Sequence, residues 1–368
     1  MNWRIGHSFL SSGLREAQYE NLFAAANMGH LSSEFLAGMR KKYKTVVEEL
    51  CTKSKTDALR QEIASTEDLM QGIEIMTDAR HGTRKNAKDT DVICLGGLSH
   101  KCLWNGHITR AVDPVTQRHE MIGVKQMYQY FDETDTPIYL HVHDDNRSVS
   151  KYVENERPET QNAIDIWHET SKIPSKFRKI SSGPNYAKGK TWHEELHDKG
   201  APVKKHINYS LRNCNGDETK LCQMIDTVVY HYQDIHTDCP AESRCRADQH
   251  YELSKQHIKD EKAAELLTKF LHSLNLYKRP DRYKHCKDTS YVESFNRAIK
   301  IFHSKDVHFS NEECEMRNQL AILSWNENVD REYTSLSQAT EVTSSRKVLK
   351  PKTHNFRSEL WHKFISCL

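Results

Sequence analysis

Pro137-Ile138-Tyr139-Leu140-His141-Val142-His143-Asp144 is the stretch that decides the fold. It is a proline-bounded apolar run of strand length that stops at an aspartate. A second run of the same kind, Gly72-Ile73-Glu74-Ile75-Met76-Thr77-Asp78, also stops at an aspartate. A third acid, Glu293, sits in Tyr291-Val292-Glu293-Ser294-Phe295-Asn296-Arg297, whose apolar positions have helical spacing.

The segments around these acids fall into a clear order. Phe9, Leu10, Leu14, Leu22 and Phe23, then Phe35, Leu36, Val46, Val47 and Leu50, predict an N-terminal helical region over 1–69. The period then shortens. Strands are expected at Ile73 to Asp78, Asp91 to Gly96 and Gly106 to Val112. Gln117 to Phe131 reads as a helix, Ile138 to Val142 as a strand, Asn146 to Val153 as a helix, and Ala163-Ile164-Asp165-Ile166-Trp167 as a fifth strand. Three strands, helix, strand, helix, strand is the order of an α/β, ribonuclease H-like fold, a mixed five-stranded sheet with flanking helices. Its first part is expected over 70–172 and its C-terminal helices over 286–335. Between them, 173–285 reads as a large, charged, all-helical insertion placed before the last catalytic helix. Residues 336–368 read as a basic, poorly ordered tail with Arg346, Lys347, Lys350 and Lys352.

Two strand-end aspartates and a helical glutamate are a donor set for divalent metals. Mg²⁺, or Mn²⁺ in its place, takes hard oxygen ligands, and two such ions about 3.5–4 Å apart lower the barrier to phosphodiester cleavage. Asp78 would bridge the ions, Asp144 would hold one and Glu293 the other. Aspartate also ends strands because it favours turns, and the chain has 51 acidic residues. Asp145 competes with Asp144 by one residue of register.

Two histidine motifs offer other chemistry. His141-Val142-His143-Asp144-Asp145-Asn146 reads as an H-x-H-x-D pattern after a strand, with Asn146 where such patterns want a histidine, and the two imidazoles on one face could serve a dinuclear zinc hydrolase. Within the insertion, His231, His236, Cys239 and Cys245 have spacings suited to a structural zinc ion, with Cys214, Cys222 and His250 as further candidates.

Composition limits the partners. The 368 residues carry a formal charge of only +2, so polyanion binding would need a local basic surface. Lys172, Lys176, Arg178 and Lys179 form such a run after the fifth strand and are candidate DNA phosphate contacts. No stretch has the length and apolarity of a membrane span, and none near the N-terminus has those of a signal peptide. The ten scattered cysteines fit buried thiols rather than a disulfide framework.

Asp165-Ile166-Trp167-His168, with Lys172 one position beyond the motif's lysine, resembles the D-x-W-H-x-x-K element of Kolobok-type eukaryotic DDE transposases. Asp78-Ala79-Arg80 resembles their first-aspartate motif, and Asp144 with Val149 and Lys151 the second. Val292-Glu293-Ser294-Phe295 resembles the glutamate helix, and Met316-Arg317, Leu320-Ala321 and Asn326-x-Asn328-x-x-Arg331 the element after it. Trp192 and His206 resemble positions of the insertion. The likeness runs from about Gly72 to Arg331. It departs at His143-Asp144-Asp145-Asn146, where the usual arginine and histidine are absent, and at His81-Gly82-Thr83-Arg84.

The resemblance implies a nuclear, homo-oligomeric, Mg²⁺-dependent transposase. Such an enzyme would hydrolyse a DNA strand and transfer its 3′-hydroxyl to target DNA, with Asp78, Asp144 and Glu293 catalytic and Asp165 and His168 assisting. Two alternatives stay open: a domesticated, catalytically inactive DNA-binding or protein-interaction descendant, and the zinc hydrolase at His141 and His143. Trp167 is expected to be a core residue.

Overall fold

The computed structural model describes residues 2–66, 71–82, 87–183, 191–304, 307, 309–336 and 347–368. Leu69, Thr83, Arg84 and Arg346 carry sequence expectations that lie outside the described residues, as does the Lys347 side chain. The chain is α/β, with a five-stranded mixed sheet and many helices. In chain order come α1 (Asn2–Ser12), α2 (Glu16–Ala25), α3 (Ser33–Ser65), β1 (Ile73–His81), β2 (Asp89–Gly96), β3 (Cys102–Thr109) and α4 (His119–Glu133). There follow β4 (Ile138–His143), α5 (Arg147–Glu156), β5 (Gln161–Ile164), α6 (Ile166–Ser171), α7 (Ile173–Ser181), α8 (Gly200–Asn213), α9 (Glu218–Tyr232) and α10 (Arg244–Ala247). The last elements are α11 (Glu261–Ser273), α12 (Asn275–Lys278), α13 (Ser290–Ala298), α14 (Asn311–Asn328), β6 (Tyr333–Leu336), β7 (Lys347–Leu349) and α15 (Asn355–Ser366). The sheet order is β3-β2-β1-β4-β5, with β1, β2 and β3 antiparallel and β5 parallel to β4. Two compact units result, Met1–Tyr139 with Thr289–Leu368, and Leu140–Asp288.

In the first unit, alternation sorts the strand residues between two helical layers. Val92 faces α4, where Gly123 comes so close that an added Cβ would lie 2.5 Å from Val92 Cγ2. Asp91 faces the other way, toward α14, whose Asn318 Nδ2 donates to Asp91 Oδ1 at 2.7 Å. The long helix α3 starts at Ser32, whose hydroxyl accepts from Phe35 N–H. It buries Leu36, Met39, Tyr43, Val46, Val47 and Leu50. Near its end the buried Glu62 carboxylate accepts from Leu98 N–H and Ser99 N–H, both at 2.8 Å, and so pins the β2–β3 turn.

The expected poorly ordered tail is corrected in part. Residues 355–366 form α15, which buries Phe356, Leu360 and Phe364 and packs on α3. Charge counting obscured these three apolar residues at helical spacing.

The register of β1, β2 and β3 builds a buried ionic row. Arg80 pairs with Asp91 across β1–β2, and Asp91 with His107 across β2–β3. Arg80 Nη1 lies 3.0 Å from Asp91 Oδ2, and His107 Nδ1 lies 2.7 Å from Asp91 Oδ1. Burial raises the Asp91 pKa, but the His107 hydrogen bond and the charges of His107, His303 and Arg80 outweigh it, leaving a net depression. Burial lowers the His107 pKa, but the Asp91 hydrogen bond and charge outweigh it, leaving a net rise.

In the second unit, helices α7, α8, α9, α11 and α12 share one apolar core built from Ile173, Phe177, Ile207, Leu221, Leu267 and Leu276, among others. Phe177 and Phe270 meet edge to face at 5.1 Å. Asp217 caps α9 and Asp260 caps α11, each accepting a first-turn N–H. Among the described residues no helix is long and apolar enough to cross a membrane.

The ionic row fixes a pH dependence. A depressed Asp91 pKa contributes stability above its ordinary 3.8, and that stability is lost as the pH falls. A raised His107 pKa contributes stability below its ordinary 6.5, and that stability is lost as the pH rises through the folded value. The melting-temperature gap between the wild type and His107→Gln should therefore be widest between these two values and shrink toward alkaline pH. Asp91→Ala, which leaves Arg80 buried without its carboxylate, should cost about 3–5 kcal/mol in denaturant unfolding.

Candidate functional site

In the second unit, β4 ends at His143, and Asp144 follows where the chain leaves the sheet. Parallel pairing sets His143 beside Ile164 at the end of β5, and Asp165 N–H donates to His143 O at 3.0 Å. The fifth strand is shorter than expected. It stops at Ile164, and Ile166 and Trp167 are helical because Asp165 caps α6. Asp165 Oδ1 accepts from Trp167 N–H at 2.6 Å and His168 N–H at 3.3 Å. These bonds lock a carboxylate that is only 2 % exposed.

The turn of α6 then brings His168 over the strand ends. Its Nε2 lies 3.3 Å from Asp144 Oδ1 and 3.9 Å from Asp165 Oδ2. Asp144, Asp165 and His168 thus offer donor atoms that all lie within 4.8 Å of one another. Of the two adjacent acids, Asp144 joins the group, while Asp145 is exposed and does not. Two carboxylates and an imidazole suit a divalent cation, with half-exposed Asp144 as the reachable oxygen donor.

In the first unit, Asp78 lies inside β1 rather than at its end, since the strand runs on to His81. Antiparallel pairing with β2 carries the strand past the apolar run, a continuation that the polar Arg80 and His81 concealed. Asp78 and Arg80 share a face two residues apart, so Asp78 sits beside the ionic row. Asp78 Oδ1 accepts from Ala79 N–H at 2.8 Å, and Asp78 Oδ2 accepts from Asn296 Nδ2 at 2.7 Å. Asn296 belongs to α13, which also carries Glu293 one turn earlier and packs on β1. Glu293 Oε2 lies 3.4 Å from exposed Arg297 Nη2. Asn296 was missed from the sequence, where its i+3 spacing from Glu293 was the available signal. Among the described residues its buried Oδ1 has no hydrogen-bond partner, which leaves an oxygen donor next to Asp78.

Other expectations fare differently. Trp167 is 57 % exposed on α6 rather than in the core, because the strand stops before reaching it. Lys172, Arg178 and Lys179 are exposed on or beside α7. Lys176 is not a free phosphate contact, because its Nζ lies 2.9 Å from the buried Glu169 carboxylate. His141 and His143 are fully buried with their rings 5.1 Å apart, and burial holds both pKa values below the ordinary range. His143 faces the Asn162 amide oxygen at 2.8 Å and the Asp144 carbonyl, so both its nitrogens are engaged. Neither histidine belongs to a metal-capable grouping among the described residues. His231, His236, Cys239 and Cys245 do come together, whereas Cys214, Cys222 and His250 stand apart from them. Cys214 is in the apolar core, and Cys222 faces the Tyr277 carbonyl.

Four polar residues after α13, namely Arg317, Asn326, Asn328 and Arg331, are clamps. Arg317 donates to Gly13 O, Leu14 O and Phe302 O. Asn326 Oδ1 accepts from Cys102 N–H at 2.7 Å, and Asn328 Oδ1 from Thr353 N–H at 2.9 Å. Arg331 donates to Asn328 O and Lys350 O.

No protein-family model matches the chain, and no curated protein matches it.

The grouping at Asp144 predicts a direct binding result. Asp144→Asn should weaken Mn²⁺ binding, followed by electron paramagnetic resonance titration, by at least about tenfold. Asp145→Asn should leave that affinity unchanged.

Proposed function

We propose that the chain is a metal-dependent DNA strand-cleaving and strand-transferring enzyme of the DDE type, or a domesticated descendant of one, similar to Kolobok-type transposases. The convergence of Asp144, Asp165 and His168 carries this reading. Further support comes from Asp78 and Glu293, held on β1 and the helix packed against it. The mixed sheet in the order β3-β2-β1-β4-β5 is compatible with a ribonuclease H-like fold.

Each side chain has a distinct part. Asp144, Asp78 and Glu293 are the oxygen donors that would hold Mg²⁺ or Mn²⁺. When bound, such ions stabilise the charge developing on a phosphodiester under attack. Asn296 holds the Asp78 carboxylate in one orientation. His168 Nε2 faces Asp144 Oδ1 and restricts its rotation. Asp165 fixes His168 through the α6 cap, and its burial keeps that anchor out of water. Exposed Lys172, Arg178 and Lys179 supply phosphate contacts. DNA is the proposed partner, the nucleus the compartment, and a homo-oligomer the working form, because two DNA ends must be joined.

A supercoiled-plasmid nicking assay with Mg²⁺ or Mn²⁺ tests the proposal. Wild type should nick, while Asp78→Asn, Asp144→Asn and Glu293→Gln should fall to background with unchanged circular dichroism. Wild-type nicking by Asp78→Asn removes the proposed metal role. DNA binding without nicking by the wild type favours the domesticated form. Replacing Lys172, Arg178 and Lys179 together by alanine should flatten the salt dependence of DNA binding by roughly 0.9 in log–log slope per lost phosphate contact.

A further inference from the structure

We propose that His231, His236, Cys239 and Cys245 bind one zinc ion that fixes the segment between α9 and α11. The site lies wholly in the second unit and is independent of the carboxylate grouping at Asp144.

The distances are those of ligands around a common ion. Cys239 Sγ lies 3.7 Å from His231 Nδ1 and 3.8 Å from His236 Nδ1. Tetrahedral zinc with bonds of about 2.3 Å to sulfur and about 2.0 Å to nitrogen holds such atoms about 3.5 Å apart. The donor atoms of all four residues lie within 4.8 Å of one another. Two thiols and two imidazoles form the set a structural zinc site uses, and four protein ligands close the coordination sphere.

The far side of each imidazole is also engaged. His236 Nε2 lies 3.1 Å from Asp234 Oδ1, and His231 Nε2 lies 3.4 Å from the Tyr251 hydroxyl. Ligand histidines hold their tautomer and ring orientation through such outer contacts. Both inward atoms are Nδ1, so the two rings present the same nitrogen to the same point. Arg246 Nη1 donates to Thr237 O at 3.2 Å and Cys239 O at 3.0 Å, which draws the loop carrying Cys239 toward α10.

Apolar burial contributes little order to the segment. From Gln233 to Asp260 only Cys239 and Ile258 are buried. Its one α-helix, α10, has four residues and buries none of them. Apolar packing this sparse does not offset the entropy of fixing so long a connection, whereas a structural metal adds folding free energy directly. Three of the ligands, His231, Cys239 and Cys245, also line an open cleft of about 490 Å³ with His206, Tyr209 and Tyr251, which gives an ion a path inward.

The test uses the full chain purified under reducing conditions and measured for metal by mass spectrometry. One zinc per chain is expected, falling to zero in Cys239→Ser/Cys245→Ser and in His236→Ala, and staying at one in Cys222→Ser and Asp144→Asn. Cobalt in place of zinc should give the strong visible bands of tetrahedral coordination and a thiolate charge-transfer band. That band should halve in Cys245→Ser. Removing zinc from the wild type should lower its melting temperature and open cleavage sites for protease between Gln233 and Asp260. Where a variant does not fold, the wild-type zinc content and cobalt spectrum decide. A wild type that takes up neither metal, a double variant that keeps its zinc, or a metal-free chain with a Cys239–Cys245 disulfide overturns the assignment.

Discussion

The buried carboxylate of Asp91 sets the terms for the first unit. An ionised group removed from water needs partners on every side, and here they come from separate elements. Arg80 comes from β1, His107 from β3 and Asn318 from α14. The last of these reaches further, since Asn318 Oδ1 accepts from His303 Nδ1 at 2.8 Å and Arg80 Nη2 donates to His303 O at 2.7 Å. One anion therefore fixes the stagger of three strands and seats a helix against them. Asp78 inherits this rigidity, because it stands on the same strand and face as Arg80.

The second unit reaches a comparable end by another route. Its candidate site depends on backbone geometry at two adjacent parallel strands. Both strands finish on the same rung, so Asp144 and Asp165 leave the sheet side by side. A short capped helix then folds His168 back over them. Burial grades the three groups: Asp165 is sealed, while His168 and Asp144 are progressively open. A fixed inner anion and an exposed outer one is an arrangement in which the inner group positions and the outer group binds.

What the sequence disclosed follows the range of the interactions involved. The strand and helix order was legible because alternation and helical periodicity are local. So was the clustering of His231, His236, Cys239 and Cys245, which lie close together along the chain. The end of β5 was missed, because the capping preference of Asp165 competes with the strand propensity of Ile166 and Trp167 and wins through two backbone hydrogen bonds. Asn296 was missed because its partner, Asp78, is distant in sequence and no pattern of residue types announces the pair. Lys176 looked like its basic neighbours until Glu169 was found buried beneath it. Arg80 and Arg317 are buried cations whose partners lie far off along the chain or on neighbouring elements, so linear spacing gave no sign of their structural part.

Helix α14 carries Arg317, Asn318, Asn326 and Asn328 as buried polar residues, each committed to a different neighbour. Successive residues on an α-helix are turned by about 100° from one another. Gaining or losing a single residue between Asn318 and Asn326 would swing one pair of clamps away from its targets while the other stayed in place. Length variation among descendants of this chain should accordingly spare that helix and accumulate in connections whose polar groups already face water.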